Sequence, residues 1–133
     1  MRWILPLTLV SLLTCLPAFA QQRRASWVEV YQSDSGDHYL VDTNFIVYPK
    51  NQIAIKTLTQ YGTPNSEGVV LRLSSMRFDC FNKLFGVENT TTFGINNQVI
   101  LHTDNTDVEW TAVTPNSLSL AIYDSICPLL RKN

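Results

Sequence analysis

The chain has 133 residues, of which 45% are hydrophobic and 16% charged, with a formal net charge of −1 and three cysteines. That length holds one small domain with a core of its own, and a charge so near zero supplies no basic field to draw in nucleic acid or an anionic membrane. Nothing repeats and nothing is low-complexity, so solenoid and fibrous classes are excluded as well.

Residues 1–20 read as a secretory signal peptide. Arg2 is a short positive start, Ile4 to Leu16 an apolar core, and Ala18-Phe19-Ala20 a small-residue cleavage site before Gln21. A transmembrane anchor would need roughly 20 apolar residues; this run is too short for that, and Pro6 and Pro17 interrupt it. A lipoprotein signal on Cys15 would follow Leu-Leu-Thr, where threonine fits poorly before a lipidated cysteine. Cleavage between Ala20 and Gln21 leaves a mature chain of residues 21–133, read as a single domain without a transmembrane segment. Loss of Arg2 leaves nine basic residues against eleven acidic ones, a formal charge of −2. Its basic pairs, Arg23-Arg24 and Arg131-Lys132, both lie at the termini. The short start and compact cleavage site point to a bacterial exported protein, periplasmic, secreted or at the cell surface.

The mature chain is mostly strand-like. Ser26 to Gln32 alternates, with Trp27, Glu29 and Tyr31 on one face and Val28 and Val30 on the other. Ser33 to Asp37 is a turn; His38 to Asp42 and Asn44 to Tyr48 are strand pieces separated by a bend at Asp42-Thr43-Asn44. Gln52 to Tyr61 is rich in β-branched residues. Tyr61 to Gly68 is the most loop-like segment, because Gly62, Pro64, Asn65 and Gly68 forbid a regular element there. Val69 to Leu84 reads as one long strand, or two with a bulge near Ser74-Ser75. Leu71, Leu73 and Met76 then share one face, with Phe78 and Cys80 in another register. Asn89 to Ile95, Asn97 to Thr103 and Asp107 to Val113 complete the set, with reversals at Asn96-Asn97 and Asp104-Asn105.

The last segment breaks the strand pattern. Thr114 is placed to cap a helix, Pro115 suits the first helical position, and Val113 with Leu118 has hydrophobic-staple spacing. Leu118, Ala121, Ile122, Ser125, Ile126 and Leu129 then form one face. Alternation of Leu118, Leu120 and Ile122 also admits a strand; the Thr-Pro start favours the helix. Two cysteines remain after cleavage, an even count in an exported chain, which predicts a Cys80–Cys127 disulfide. The fold class read from this pattern is α+β: an antiparallel sheet of about six strands, one face covered by a C-terminal helix that the disulfide tethers to it.

No catalytic constellation emerges. The Ser, His and Asp residues have no nucleophile-elbow context, and the cysteines are better used as a bridge. His38 and His102 are isolated in strand-like runs, and Asp104, Asp107 and Glu109 lack the oxygen spacing of a calcium loop, so no metal or cofactor is expected. The aromatics Trp27, Tyr31, Tyr39, Phe45, Tyr48, Phe78, Phe81, Phe93, Trp110 and Tyr123 are read first as core between sheet and helix, and second as a protein-binding face.

The order of features resembles the surface-adhesin protein E family of Gram-negative bacteria. The resemblance runs through Trp-Val-Glu-Val-Tyr at Trp27 and His-Tyr-Leu-Val-Asp-Thr-Asn-Phe-Ile around Tyr39, Asp42 and Ile46. It continues at Asp79-Cys80 and at the Trp110, Pro115, Ser117 and Cys127 segment. It implies a sheet with a disulfide-fixed C-terminal helix, surface exposure, a homodimer, and binding to host matrix or serum proteins such as laminin and vitronectin. The absence of a catalytic constellation adds the expectation of a protein that binds and does no chemistry. The other reading of the residues is a small periplasmic inhibitor of a hydrolase such as lysozyme, with Tyr61 to Gly68 as the inserted loop.

Overall fold

A computed structural model describes residues 25–130 of the chain. Eight strands and one helix follow in order. The strands are β1 (Trp27–Gln32), β2 (His38–Asp42), β3 (Ile46–Tyr48), β4 (Gln52–Gln60), β5 (Leu71–Asp79), β6 (Leu84–Phe93), β7 (Val99–Asp104) and β8 (Thr111–Ala112). The helix, α1, is Leu118–Leu130. All strands join one antiparallel sheet in the order β1-β2-β4-β5-β6-β7. β3 pairs with β4 beyond the end of β2, and β8 with β6 beyond the end of β7. The eight segments therefore occupy six lanes, as the alternating pattern predicts.

Turn chemistry explains the hairpins. Between β3 and β4, Lys50 and Asn51 have φ of 65° and 59°; between β6 and β7, Asn96 and Asn97 have φ of 68° and 59°. Two successive left-handed residues form the turn whose twist matches that of the flanking strands, and asparagine tolerates it better than most residues. The reversal at Asn96-Asn97 was legible for that reason.

Bulges account for departures from simple alternation. In β1, Glu29 pairs with Leu40 and Tyr31 with Tyr39, so Val30 is an extra residue. It packs against the core while Val28 is exposed, and the two do not share a face as the alternation suggests. β5 runs unbroken to Asp79. Ser75 pairs with Asn89 and Met76 with Val87, which leaves Glu88 of β6 as the extra residue. The bulge expected near Ser74-Ser75 is thus at that level but on the neighbouring strand. Met76 and Phe78 share the helix-facing side, where both are buried, and the chain reverses at Cys80 to Lys83 before β6.

The core lies between sheet and helix. Val41, Ile53, Ile55, Met76 and Phe78 meet Ile122, Tyr123, Ile126 and Cys127, with Phe85 stacked on Phe78 at 6.0 Å between ring centroids. Each fully buried side chain of this type contributes about 1.5–3 kcal/mol. Sequence places α1 correctly but not its start or its exact face. Asn116 takes φ of 55°, which no helix interior accepts, so the helix begins after it. The cap is Ser117: its Oγ accepts from the Leu120 amide at 3.2 Å and donates to the Thr114 carbonyl at 2.6 Å. Leu118 and Leu129 stay substantially exposed, and the buried stripe turns towards Tyr123 and Cys127. That rotation follows from the tether: the Cys80–Cys127 bond, with Cα atoms 5.6 Å apart, sets which side of α1 faces the sheet.

Candidate protein-binding surface

Most of the aromatic side chains named above are not core. Phe78 and Tyr123 are buried and Phe45 packs against the core, whereas Tyr31, Tyr48, Phe81 and Trp110 are exposed. The first reading of the aromatics holds for that minority, because α1 covers only part of one sheet face.

A group of exposed apolar side chains lies at the β6–β7 hairpin. Every residue of β7 is exposed, and Ile95, Val99 and Leu101 show 62%, 60% and 58% of their surface to solvent. Among the described residues β7 ends the sheet, and one side of its backbone has no neighbouring strand. Edge strands of this kind are ready templates for another chain. Towards the far end of β7 the surface turns polar. Thr91 Oγ1 and His102 Nδ1 lie 2.6 Å apart, and His102 Nε2 is 3.0 Å from Asp104 Oδ1. His102 is thereby spanned between a neighbouring strand and its own. His38 similarly meets Glu29 across β1 and β2. Both histidines sit in strands, as read.

A second exposed apolar group lies on β3, at Ile46, Val47 and Tyr48. The Arg77 guanidinium stands 4.4 Å from the Tyr48 ring centroid, and its Nε is 2.8 Å from Glu88 Oε1. This cation–π and ion-pair arrangement fixes Tyr48 on the sheet face turned away from α1. Sequence gave no signal for it, since Arg77 and Glu88 meet only through the β5–β6 register.

The Tyr61 to Gly68 loop is held from inside and from its neighbour. Asn65 Oδ1 accepts from the amides of Glu67 and Val69 at 2.9 and 3.0 Å, and Asp37 Oδ1 accepts from the Gly62 amide at 2.9 Å. Val69 is fully buried, and the exposed residues are Gly62, Thr63, Pro64, Ser66, Glu67 and Gly68. The exposed part of the loop carries no aromatic or arginine anchor of the kind that dominates binding energy.

Next to the disulfide, Asp79 organises the β5–β6 turn. Its Oδ1 accepts from the amides of Phe81 and Asn82 at 3.1 and 3.0 Å, and its Oδ2 from the Asn82 side-chain amide at 2.9 Å. Burial alone would raise the Asp79 pKa, but these three hydrogen bonds outweigh it and hold the carboxyl below its ordinary value. Phe81, at the tip of the turn, is 78% exposed.

Asp104, Asp107 and Glu109 are all exposed. Among the described residues no three of His, Cys, Asp and Glu gather in a way that could hold a metal ion, and no helix is long and apolar enough to cross a membrane. The cleavage pair Ala20 and Gln21 lies outside the described residues.

Taken from the residues upward, this is a sheet-and-helix module whose disulfide and Asp79 carboxylate hold its shape and whose β7 edge presents apolar side chains. The chain belongs to the surface-adhesin protein E family, whose family model matches residues 27–128. By that membership it is an adhesin-like surface protein that binds protein partners. Comparisons with curated proteins and with solved structures gave no match.

Proposed function

We propose that this protein is a bacterial adhesin domain, exported by cleavage between Ala20 and Gln21, that binds host matrix or serum proteins such as laminin or vitronectin through its β7 edge. The single mature domain then spans residues 21–133. The observation that carries the reading is the open edge of β7 flanked by Ile95, Val99 and Leu101. Unpaired backbone groups give such an edge affinity for an extended segment, and the apolar side chains around it give that segment something to bury. A second copy of the chain can use the same edge, which makes a homodimer the competing occupant. No observation favours the hydrolase-inhibitor reading, since the exposed part of the Tyr61 to Gly68 loop lacks an anchor.

The test uses the exported protein immobilised for surface plasmon resonance against laminin and vitronectin. Val99→Lys with Leu101→Lys should weaken capture at least tenfold, while a shortened Thr63 to Glu67 loop should leave it unchanged. Loss of capture in the loop variant alone would overturn the edge assignment. Intact mass of the exported protein should place Gln21 first, and a lipid-modified chain beginning at Cys15 would refute the cleavage.

A further inference from the structure

On its helix-facing side the sheet changes character halfway along the strands. Under α1 the cross-strand row is apolar: Ile55 pairs with Met76, and Met76 with Val87. Two residues back along β5 the row is Val41, Thr57, Ser74 and Thr90, apolar only at its β2 end, and two further back it is Tyr39, Thr59, Arg72 and Thr92. Only the apolar part is roofed by the buried stripe of α1. Thr57, Thr59, Arg72 and Ser74 of these rows line a cleft of about 570 Å³, walled on one side by residues between Thr111 and Ile122. A volume of that size is typical of small-molecule sites.

The two ends of the cleft differ chemically. At the inner end Val30, Met76, Val87 and Ile122 line it. At the outer end stand Tyr39, Tyr61 and Arg72, with the guanidinium 5.8 Å from the Tyr61 ring centroid. Arg72 is the one charged residue lining the cleft, and no carboxylate among the described residues pairs with it. The nearby Asp37 is engaged elsewhere, accepting from the Gly62 amide and from the Ser35 hydroxyl. Burial, and then the charge of Asp37, raises the Tyr39 pKa above its ordinary value. From Arg72 to Met76 the distance is four strand residues, roughly 13 Å.

We propose that this cleft binds a small amphipathic carboxylate, a medium-chain fatty acid, with its head on Arg72 and its tail running over Ser74 and Met76 towards Ile122. An unpaired guanidinium at the mouth matches a carboxylate in charge and in fork geometry. The apolar inner end takes hydrocarbon away from water. An uncharged lipid would leave Arg72 unused, and a cationic one would be repelled. The site is separate from the β7 edge, so its test does not depend on adhesion.

The experiment is calorimetric titration of the oxidised protein with decanoate below its micellar concentration, with decanol and hexanoate as controls, followed by amide chemical-shift mapping. Saturable one-to-one decanoate binding is expected, at least tenfold tighter than either control, with shifts confined to Thr57–Thr59, Arg72–Met76 and the start of α1. Arg72→Gln should reduce decanoate to the level of decanol, and Thr59→Trp, which fills the cleft beside Arg72, should abolish binding while circular dichroism stays unchanged. Equal binding of decanol and decanoate, indifference to Arg72→Gln, or shifts centred on β7 would overturn the proposal. So would a preference for a short peptide with a free C-terminal carboxylate over decanoate, which would make the cleft a peptide groove.

Discussion

Tyr123 donates its hydroxyl to the carbonyl of Cys80 at 2.6 Å, while the sulfur of Cys80 is bonded to Cys127 one helical turn further along α1. The helix is therefore clamped twice to a single residue just past the end of β5, once covalently and once by a partly buried hydrogen bond. The disulfide closes 47 residues of chain, worth about 4 kcal/mol in the chain-entropy account. The hydrogen bond adds about 1 kcal/mol, and more is lost if the carbonyl is left unsatisfied.

These two clamps should separate by experiment. Tyr123→Phe keeps the ring in the core and removes only the hydroxyl, so it should cost about 1–2 kcal/mol in urea unfolding with an unchanged slope. Cys127→Ser should cost a few kcal/mol and should speed hydrogen exchange in α1 before the sheet opens. Protection of α1 equal to wild type in the Cys127→Ser protein would mean that packing alone holds the helix.

Asp79 makes stability depend on pH in a definite direction. Its folded pKa is depressed, so the ionised form is favoured by folding. The stabilisation is complete above the unfolded carboxyl pKa and is lost as pH falls through the lower folded value. Asp79→Asn keeps the size but turns a donor towards the Asn82 amide, and should cost about 1–3 kcal/mol at pH 7. The difference between wild type and variant should shrink below about pH 4 and vanish in stronger acid. A constant difference from pH 7 down to pH 2 would show that the carboxylate charge plays no part.

Gly86 is a tight spot of a different kind. A Cβ there would stand 2.1 Å from Val108 Cγ1 and 3.0 Å from the Glu109 carbonyl oxygen. The segment leading into β8 lies directly on the β6 backbone at this point, and β8 is held by the short ladder Leu84–Ala112 and Phe85–Thr111 and by the Val113 amide donating to the Lys83 carbonyl at 2.9 Å. Gly86→Ala should therefore displace residues 108–109 and cost about 1–3 kcal/mol, with faster exchange at Thr111 and Ala112. An unchanged melting temperature would mean that the segment yields freely.

What the sequence reveals and conceals follows from which contacts are local. Most strand positions, the Asn96-Asn97 turn and the existence of α1 rest on neighbours within a few residues and are legible, whereas the strand read over Asp107 to Val113 is confined to Thr111–Ala112. The disulfide is legible because exclusion leaves one pairing. The start of α1 is not: Thr114-Pro115 offers good capping chemistry, but Asn116 adopts a left-handed conformation that moves the cap to Ser117. The contributions of Val30 and Glu88 depend on bulges, and a bulge changes register without changing composition. Arg72 over Tyr61 and Arg77 over Tyr48 are set by strand pairing across long sequence separations. The open edge at β7 is the least legible feature, because an edge strand and a central strand of the same sheet read alike until the order of strands is known.

The β7 edge makes a prediction that does not require a partner to be identified. Val99 and Leu101 are exposed and touch little, so replacing both with lysine should change the unfolding free energy by no more than about 0.5 kcal/mol each. Lysine on an edge strand also discourages strand-to-strand association, because pairing a second chain would desolvate its charge. Sedimentation velocity of the wild-type protein should then show concentration-dependent self-association that the double variant lacks, at equal melting temperature. If both proteins sediment as the same monomer at every concentration, the edge does not recruit a second copy, and its apolar side chains are left for a partner of another kind. If instead the variant loses several kcal/mol of stability, Val99 and Leu101 belong to the core of the fold and the edge is not open at all.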